Sequence, residues 1–143
     1  MKRNKKQYLS LLLLADEQEN MVDRYLEHGT MYVLDDKGIK AECVLTDEGN
    51  GILEIKNIAT DPDSQRRGYG KALIDFISSK YQGKYSVLQA GTGDSPLTVP
   101  FYEKCGFSRS HVVENFFTDN YDHPIYEAGI QLKDMVYLRK KLV

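Results

Sequence analysis

Two glycines and three basic residues stand together in Asp61-Pro62-Asp63-Ser64-Gln65-Arg66-Arg67-Gly68-Tyr69-Gly70-Lys71. The segment lies between a run of β-formers and a run with helical periodicity. Glycine lets a chain turn tightly and bring its backbone against a ligand. The amides that open a helix lack an internal acceptor, and the dipole there favours negative charge. Such a turn is a cradle for phosphate, and Arg66, Arg67 and Lys71 add positive charge to it. Two familiar phosphate loops do not fit. A P-loop lysine is followed by Ser or Thr, whereas Ala72 follows Lys71 and Gln65 stands where the first glycine belongs. The third glycine of a dinucleotide fingerprint would fall at Leu73, and the acidic residue expected about 20 positions on is absent near Leu88. The plain alternative is a tight strand–helix turn with solvated basic side chains.

The elements that must hold this turn follow from hydrophobic spacing. Met21, Val22, Tyr25 and Leu26 share one face of a helix expected over 17–27, with Gly29 beyond its end. Strands are expected over 31–35 and 39–46 around the turn Asp35-Asp36-Lys37-Gly38, and over 52–59 after Gly49-Asn50-Gly51. Leu73, Ile74, Ile77 and Tyr81 then recur at helical spacing from Gly68, and Gly83 closes that helix. A strand over 85–90 and a short helix over 99–105 come next, the latter capped at Thr98 with Pro100 in its first turn. Strands over 107–113 and 132–142 flank an irregular aromatic stretch, 115–130. Antiparallel strands followed by βαβ crossovers predict an α/β chain: a mixed sheet flanked by helices, within a single domain over 1–143.

Gln65-Arg66-Arg67-Gly68-Tyr69-Gly70 resembles the Gln/Arg-x-x-Gly-x-Gly/Ala signature of the GNAT family of N-acetyltransferases, in the same strand–turn–helix setting. Phe101-Tyr102-Glu103-Lys104-Cys105-Gly106-Phe107 resembles that family's later helix, and the two motifs together span 52–107. Thr92-Gly93-Asp94-Ser95 and Pro124-Ile125-Tyr126-Glu127-Ala128-Gly129-Ile130 resemble a bacterial subgroup of it. The family often has Asn where Ser95 stands here. The resemblance implies a mostly antiparallel sheet with a parallel βαβ portion, and acetyl-CoA as co-substrate. It implies that the amides of Gln65, Arg66, Arg67, Gly68, Tyr69, Gly70 and Lys71 hold the pyrophosphate. It also implies that the strand edge Ile58-Ala59-Thr60 pairs with the pantetheine arm as an added strand would.

Tyr102 stands where the family carries the acid that protonates the departing thiolate; packing at a helix–sheet interface is its plain alternative. Glu54 lies in the apolar run Ile52-Leu53-Glu54-Ile55, where burial raises a carboxyl toward a working base. It also falls fourteen residues before Gly68, matching the glutamate base of histone-acetylating members. An alternating strand with Glu54 and Lys56 facing water is the other reading, and a water relay replaces the base in many members. Glu127 and His111 are weaker base candidates. The expected reaction is direct acetyl transfer to a small-molecule or peptide amine. A non-catalytic acetyl-CoA sensor and transfer of another acyl group are the alternatives. Phe116, Phe117, Tyr121, His123 and Tyr126 read three ways: a lid, loop packing, or a homodimer contact.

Composition bounds these readings. The 143 residues are 41% hydrophobic and 28% charged, which fits one folded domain and excludes disorder. A net charge of −2 gives no bulk reason to bind nucleic acid or an anionic membrane. Two cysteines make no disulfide framework, and the spacing of His28, His111 and His123 suggests no metal site. Cys105 is expected to be a packed residue at a helix end. The basic start followed by Leu9–Ala15 imitates a secretion signal, but the apolar run is too short and Asp16-Glu17-Gln18-Glu19-Asn20 follows it without a cleavage site. A cytoplasmic protein with reduced thiols is expected.

Overall fold

The computed structural model describes residues 5–16, 18–65, 67–96, 98–127 and 129–142. Its centre is a six-stranded sheet built from β1 (Thr30–Asp35), β2 (Ile39–Gly49), β3 (Ile52–Thr60), β4 (Val87–Gly93), β5 (Ser108–Val113) and β8 (Met135–Lys141), in the order β1-β2-β3-β4-β8-β5. A two-stranded hairpin, β6 (Tyr126–Glu127) and β7 (Ile130–Gln131), stands apart from it. Among the strands of the described residues only β3 and β4 pair in parallel, joined by the helix α3 (Tyr69–Tyr81). All other pairings are antiparallel. The mixed sheet expected from the alternation of periods is therefore the observed one. The last strand, β8, runs between β4 and β5 rather than at an edge.

Turn chemistry fixes the first meander. Lys37 and Gly38 take positive φ, and the Asp35 carboxylate accepts from the Gly38 amide at 2.9 Å, closing the β1–β2 hairpin. Gly49, Asn50 and Gly51 all take positive φ at the next turn. One face of the sheet packs on α3 and on α4 (Val99–Lys104) through Leu53, Ile55, Leu73, Ile74, Ile77 and Leu138. The other face carries α1 (Leu9–Ala15) and α2 (Glu19–Leu26) through Leu12, Val22, Tyr25 and Val44.

Several boundaries move for physical reasons. The leucine-rich run that imitates a signal is α1; Leu12 is fully buried, and its carbonyl accepts from the Asn57 amide at 3.0 Å. The helix expected over 17–27 begins at Glu19, and Glu17 lies outside the described residues. β4 runs on to Gly93 because β8 pairs with it there, Gly93 opposite Met135. The final strand begins at Met135 rather than at 132, because Leu132 packs with Phe117 and Ile125 in a satellite core. That core orders much of the stretch expected to be irregular, including α5 (Phe116–Asn120) and the β6–β7 hairpin. Among the described residues no helix is long and apolar enough to cross a membrane.

Candidate active site

The site begins where two strands part. β3 and β4 pair only from Ile52–Val87 to Ile55–Ala90. Beyond that point β3 stays paired to β2 as far as Thr60 opposite Ala41, and β4 stays paired to β8 as far as Gly93. Residues 56–60 therefore present an edge without a strand partner toward the gap. Lys56 also falls in a bulge, since Val44 pairs with Asn57 and Leu45 with Ile55. A cavity of about 890 Å³ fills the gap, lined by Ile58, Ala59 and Thr60 on one side and Gly91, Thr92 and Gly93 on the other.

At one end of the cavity lies the glycine turn. Gly68 has φ 83 and caps α3; the Ala72 amide donates to its carbonyl at 2.9 Å. A side chain at Gly68 would meet no atom within 4 Å, so the space over the turn is open. Gly70 does a different job: a Cβ there would stand 3.1 Å from the Phe101 ring, so its absence lets α4 pack against the start of α3. The two glycines thus bring both sequence motifs together. Gln65, Gly68, Tyr69, Gly70 and Lys71 line the cavity. Lys71 pairs with Asp75 at 2.8 Å on the exposed face of α3, and Arg67 is exposed. Arg66 lies outside the described residues.

Tyr102 lines the cavity from α4, edge-on to Phe101 and Phe107 with ring centroids 5.2 and 5.4 Å away. Burial raises its hydroxyl well above the ordinary phenol range, with smaller contributions from the charges of Cys105, Cys43, Glu42 and Glu127. The phenol therefore keeps its proton. Pro100 sits in the first turn of α4 and Thr98 precedes it, as expected, but the Thr98 hydroxyl does not cap the helix. It bonds Thr92 at 2.8 Å and the Gly93 carbonyl at 3.3 Å, tying α4 to the end of β4. Cys105 is buried, and burial raises its thiol, which suits a packed residue.

Glu54 is 4% exposed and lies on the sheet face opposite α3. Its Oε1 accepts from Gln89 at 2.6 Å, and its Oε2 stands 2.9 Å from Lys56 Nζ. Gln89 is fixed in turn by Arg139 at 2.8 Å. Lys56 lines the cavity; Glu54 lies behind it. Glu54 is thus buried rather than facing water, and its pairing with Lys56 is a contact that neither sequence reading named. His111 stacks on Tyr137 at 4.7 Å, away from the cavity walls.

The wall facing away from α3 brings Glu127, a weaker base candidate in the sequence, and Phe117, from the aromatic stretch, together with residues the sequence left unassigned. Leu14 and Asp16 come from the end of α1, and Phe117, Ile125, Glu127, Leu132 and Met135 from the 115–135 region. Asp16 accepts from the hydroxyls of Tyr121 at 2.7 Å and Tyr25 at 3.1 Å, and burial raises its carboxyl above the usual range despite them. Gly91 and Gly93 were the available signal. A Cβ at Gly91 would lie 2.7 Å from the Met135 sulfur, and one at Gly93 2.6 Å from Leu132. Glycines alternating along one strand mark a face against which something packs closely.

Known proteins can be set beside this geometry. Residues 27–109 match the family model of the acetyltransferase (GNAT) domain. The uncharacterised N-acetyltransferase YvbK of Bacillus subtilis is 37% identical over 131 residues, covering 90% of this chain and 84% of that protein. A GNAT family acetyltransferase from Elizabethkingia anophelis with acetyl-CoA bound superposes with a TM-score of 0.88 at 37% identity, covering 93% and 89% of the two chains. A Bacillus subtilis acetyltransferase in complex with CoA superposes at 0.89 with 34% identity, covering 100% and 96%. The parted strands, the glycine turn and Tyr102 thus stand in a chain that belongs to the GNAT family of acyl-CoA-dependent N-acetyltransferases.

Proposed function

We propose that the chain moves the acetyl group of acetyl-CoA directly to an amine held in the same complex, without an acyl-enzyme. The observation that carries this reading is the parting of β3 and β4, which leaves a bare strand edge between an open glycine turn and a buried, protonated tyrosine. Ile58, Ala59 and Thr60 offer backbone groups to the pantetheine arm, and an amide of this edge polarises the thioester carbonyl. The amides of 65–71 hold the pyrophosphate, with Arg66, Arg67 and Lys71 supplying charge around it.

The amine nitrogen attacks the thioester carbon and the carbon–sulfur bond breaks. Tyr102 gives its proton to the departing thiolate and regains one from the nitrogen, which must shed a proton as the amide forms. The proton the ammonium loses before attack passes to Glu54 through water beside Lys56. The net products are the amide, CoA thiol and one proton released to solvent. Both cysteines are free and buried, which suits the reducing cytoplasm we assign to the protein.

Release of CoA thiol, followed across a panel of amines, tests the reading. Tyr102→Phe keeps the ring packing and is expected to lower kcat by about a hundredfold or more with little change in the KM for acetyl-CoA. Full activity in Tyr102→Phe would remove the acid role. Tight acetyl-CoA binding without turnover on any amine would favour a sensor instead.

A further inference from the structure

The cavity is chemically lopsided. Of the lysines that line it, Lys71 and Lys104 stand on α3 and α4, where phosphates belong, and Lys56 on β3 is paired with Glu54 at 2.9 Å. The opposite wall is apolar, formed by Leu14, Phe117, Ile125, Leu132 and Met135, with two carboxylates set in it, Asp16 and Glu127. Asp16 is already taken by two tyrosine hydroxyls. Glu127 is different: its Oε2 is buried and has no hydrogen-bond partner among the described residues. Glu127 lines the same cavity as Tyr102. A buried carboxylate oxygen without a donor is costly, and a cationic ligand supplies the missing donor.

The same wall is tied to the first two helices. Tyr121 bonds Asp16, the Asp122 amide donates to Gln18 at 3.2 Å, and Arg24 donates to Asn120 at 3.3 Å. These contacts strap the aromatic region onto the α1–α2 corner. A second ammonium on the acceptor would be desolvated against Phe117 and Leu132 without a free carboxylate to meet it.

The geometry points to a small primary amine on an apolar or aromatic body as the acceptor, its ammonium received by Glu127 and its body by the Phe117–Ile125–Leu132 wall. This deepens the proposed acetyl transfer and rests on it. Glu127 fixes the nitrogen beside the thioester, and proton removal follows the route given above.

Steady-state kinetics with ethylamine, butylamine, hexylamine, phenethylamine, spermidine and an alanine-initiated pentapeptide tests the assignment. The expected result is a kcat/KM that rises roughly fourfold per added methylene along the alkylamines. Phenethylamine should exceed spermidine and the peptide by at least about tenfold, the effect of a few buried methylenes. Glu127→Gln is expected to raise the KM for phenethylamine by about tenfold or more, the effect of losing a charge-assisted contact. It should leave the KM for acetyl-CoA unchanged. Preference for spermidine or the peptide, no gain with chain length, or an unaltered amine KM in Glu127→Gln overturns it while leaving acetyl transfer intact. Should no amine release CoA although acetyl-CoA binds, transfer itself fails, and calorimetry of phenethylamine into the CoA-loaded protein decides the acceptor assignment separately. Binding that weakens in Glu127→Gln supports it, and absence of binding overturns it.

Discussion

Glu42 presents a cost that no contact offsets. Its Cα pairs with Val33 and Ala59 across the two neighbouring strands, on the same side of β2 as Val44. It is 0% exposed, and neither carboxylate oxygen has a hydrogen-bond partner among the described residues. Burial pushes its carboxyl up to about 8 from an ordinary 4.5. Tyr25 and Cys43 lie within reach of its charge. An unfolded chain gives up this proton near 4.5, while the folded chain holds it to about 8. In that window the native state binds more protons, so stability falls as pH rises through it and is flat beyond. Asp16, also raised by burial, adds to the same slope. Glu42→Gln keeps the shape and removes the titration. Its melting temperature is expected to vary less between pH 5 and 8 and to exceed wild type at pH 8. Parallel melting curves for the two proteins across that range would refute the assignment.

At the scale of elements, the start of α3 separates two duties of glycine. Gly68 needs its positive φ, and Gly70 needs its missing Cβ so that the Phe101 ring fits. Gly68→Ala is expected to cost about 1 kcal/mol by denaturant unfolding and to weaken acetyl-CoA binding severalfold, because the new methyl points into the open space over the turn. Gly70→Ala presses on Phe101, the neighbour of Tyr102, and should lower kcat more than it weakens acetyl-CoA binding. Equal effects of both substitutions on binding alone would show that the two glycines share one role. This turn was legible in the sequence because its chemistry is local: glycine, charge and a change of period within a dozen residues. α1 was not. A helix of seven residues is too short to stand by propensity and exists because Leu12 and Asn57 dock it on β3. The hairpin that carries Glu127 was equally hidden, since two-residue strands leave no periodicity and are set by the packing of Phe117, Ile125 and Leu132. Glu54 was legible as a buried acid, but its pairing with Lys56 and Gln89 depends on a bulge and a parallel register that only the folded sheet supplies.

Across the whole molecule, β3, like β2, contributes to both layers. Its inner residues face α3 through Leu53 and Ile55, while Asn57 reaches the α1–α2 layer through Leu12 and Tyr25. The same strand is paired to β2 from end to end apart from the bulge at Lys56, yet only half paired to β4. A ligand whose arm carries amides can complete that half, and so bind both layers at once through a strand they share. Acetyl-CoA at a hundred times its Kd is expected to stabilise the fold by about 2.7 kcal/mol, a rise in melting temperature of roughly 6–11 °C for a chain of this size. Hydrogen exchange places the effect. The amides of Ile58, Ala59 and Thr60 should gain the most protection, followed by those of the α3 start, while β1 and the outer strand β5 should change little. A rise in melting temperature with unaltered exchange along 58–60 would mean that the arm lies elsewhere, and the parted strands would then lose their role in holding acetyl-CoA.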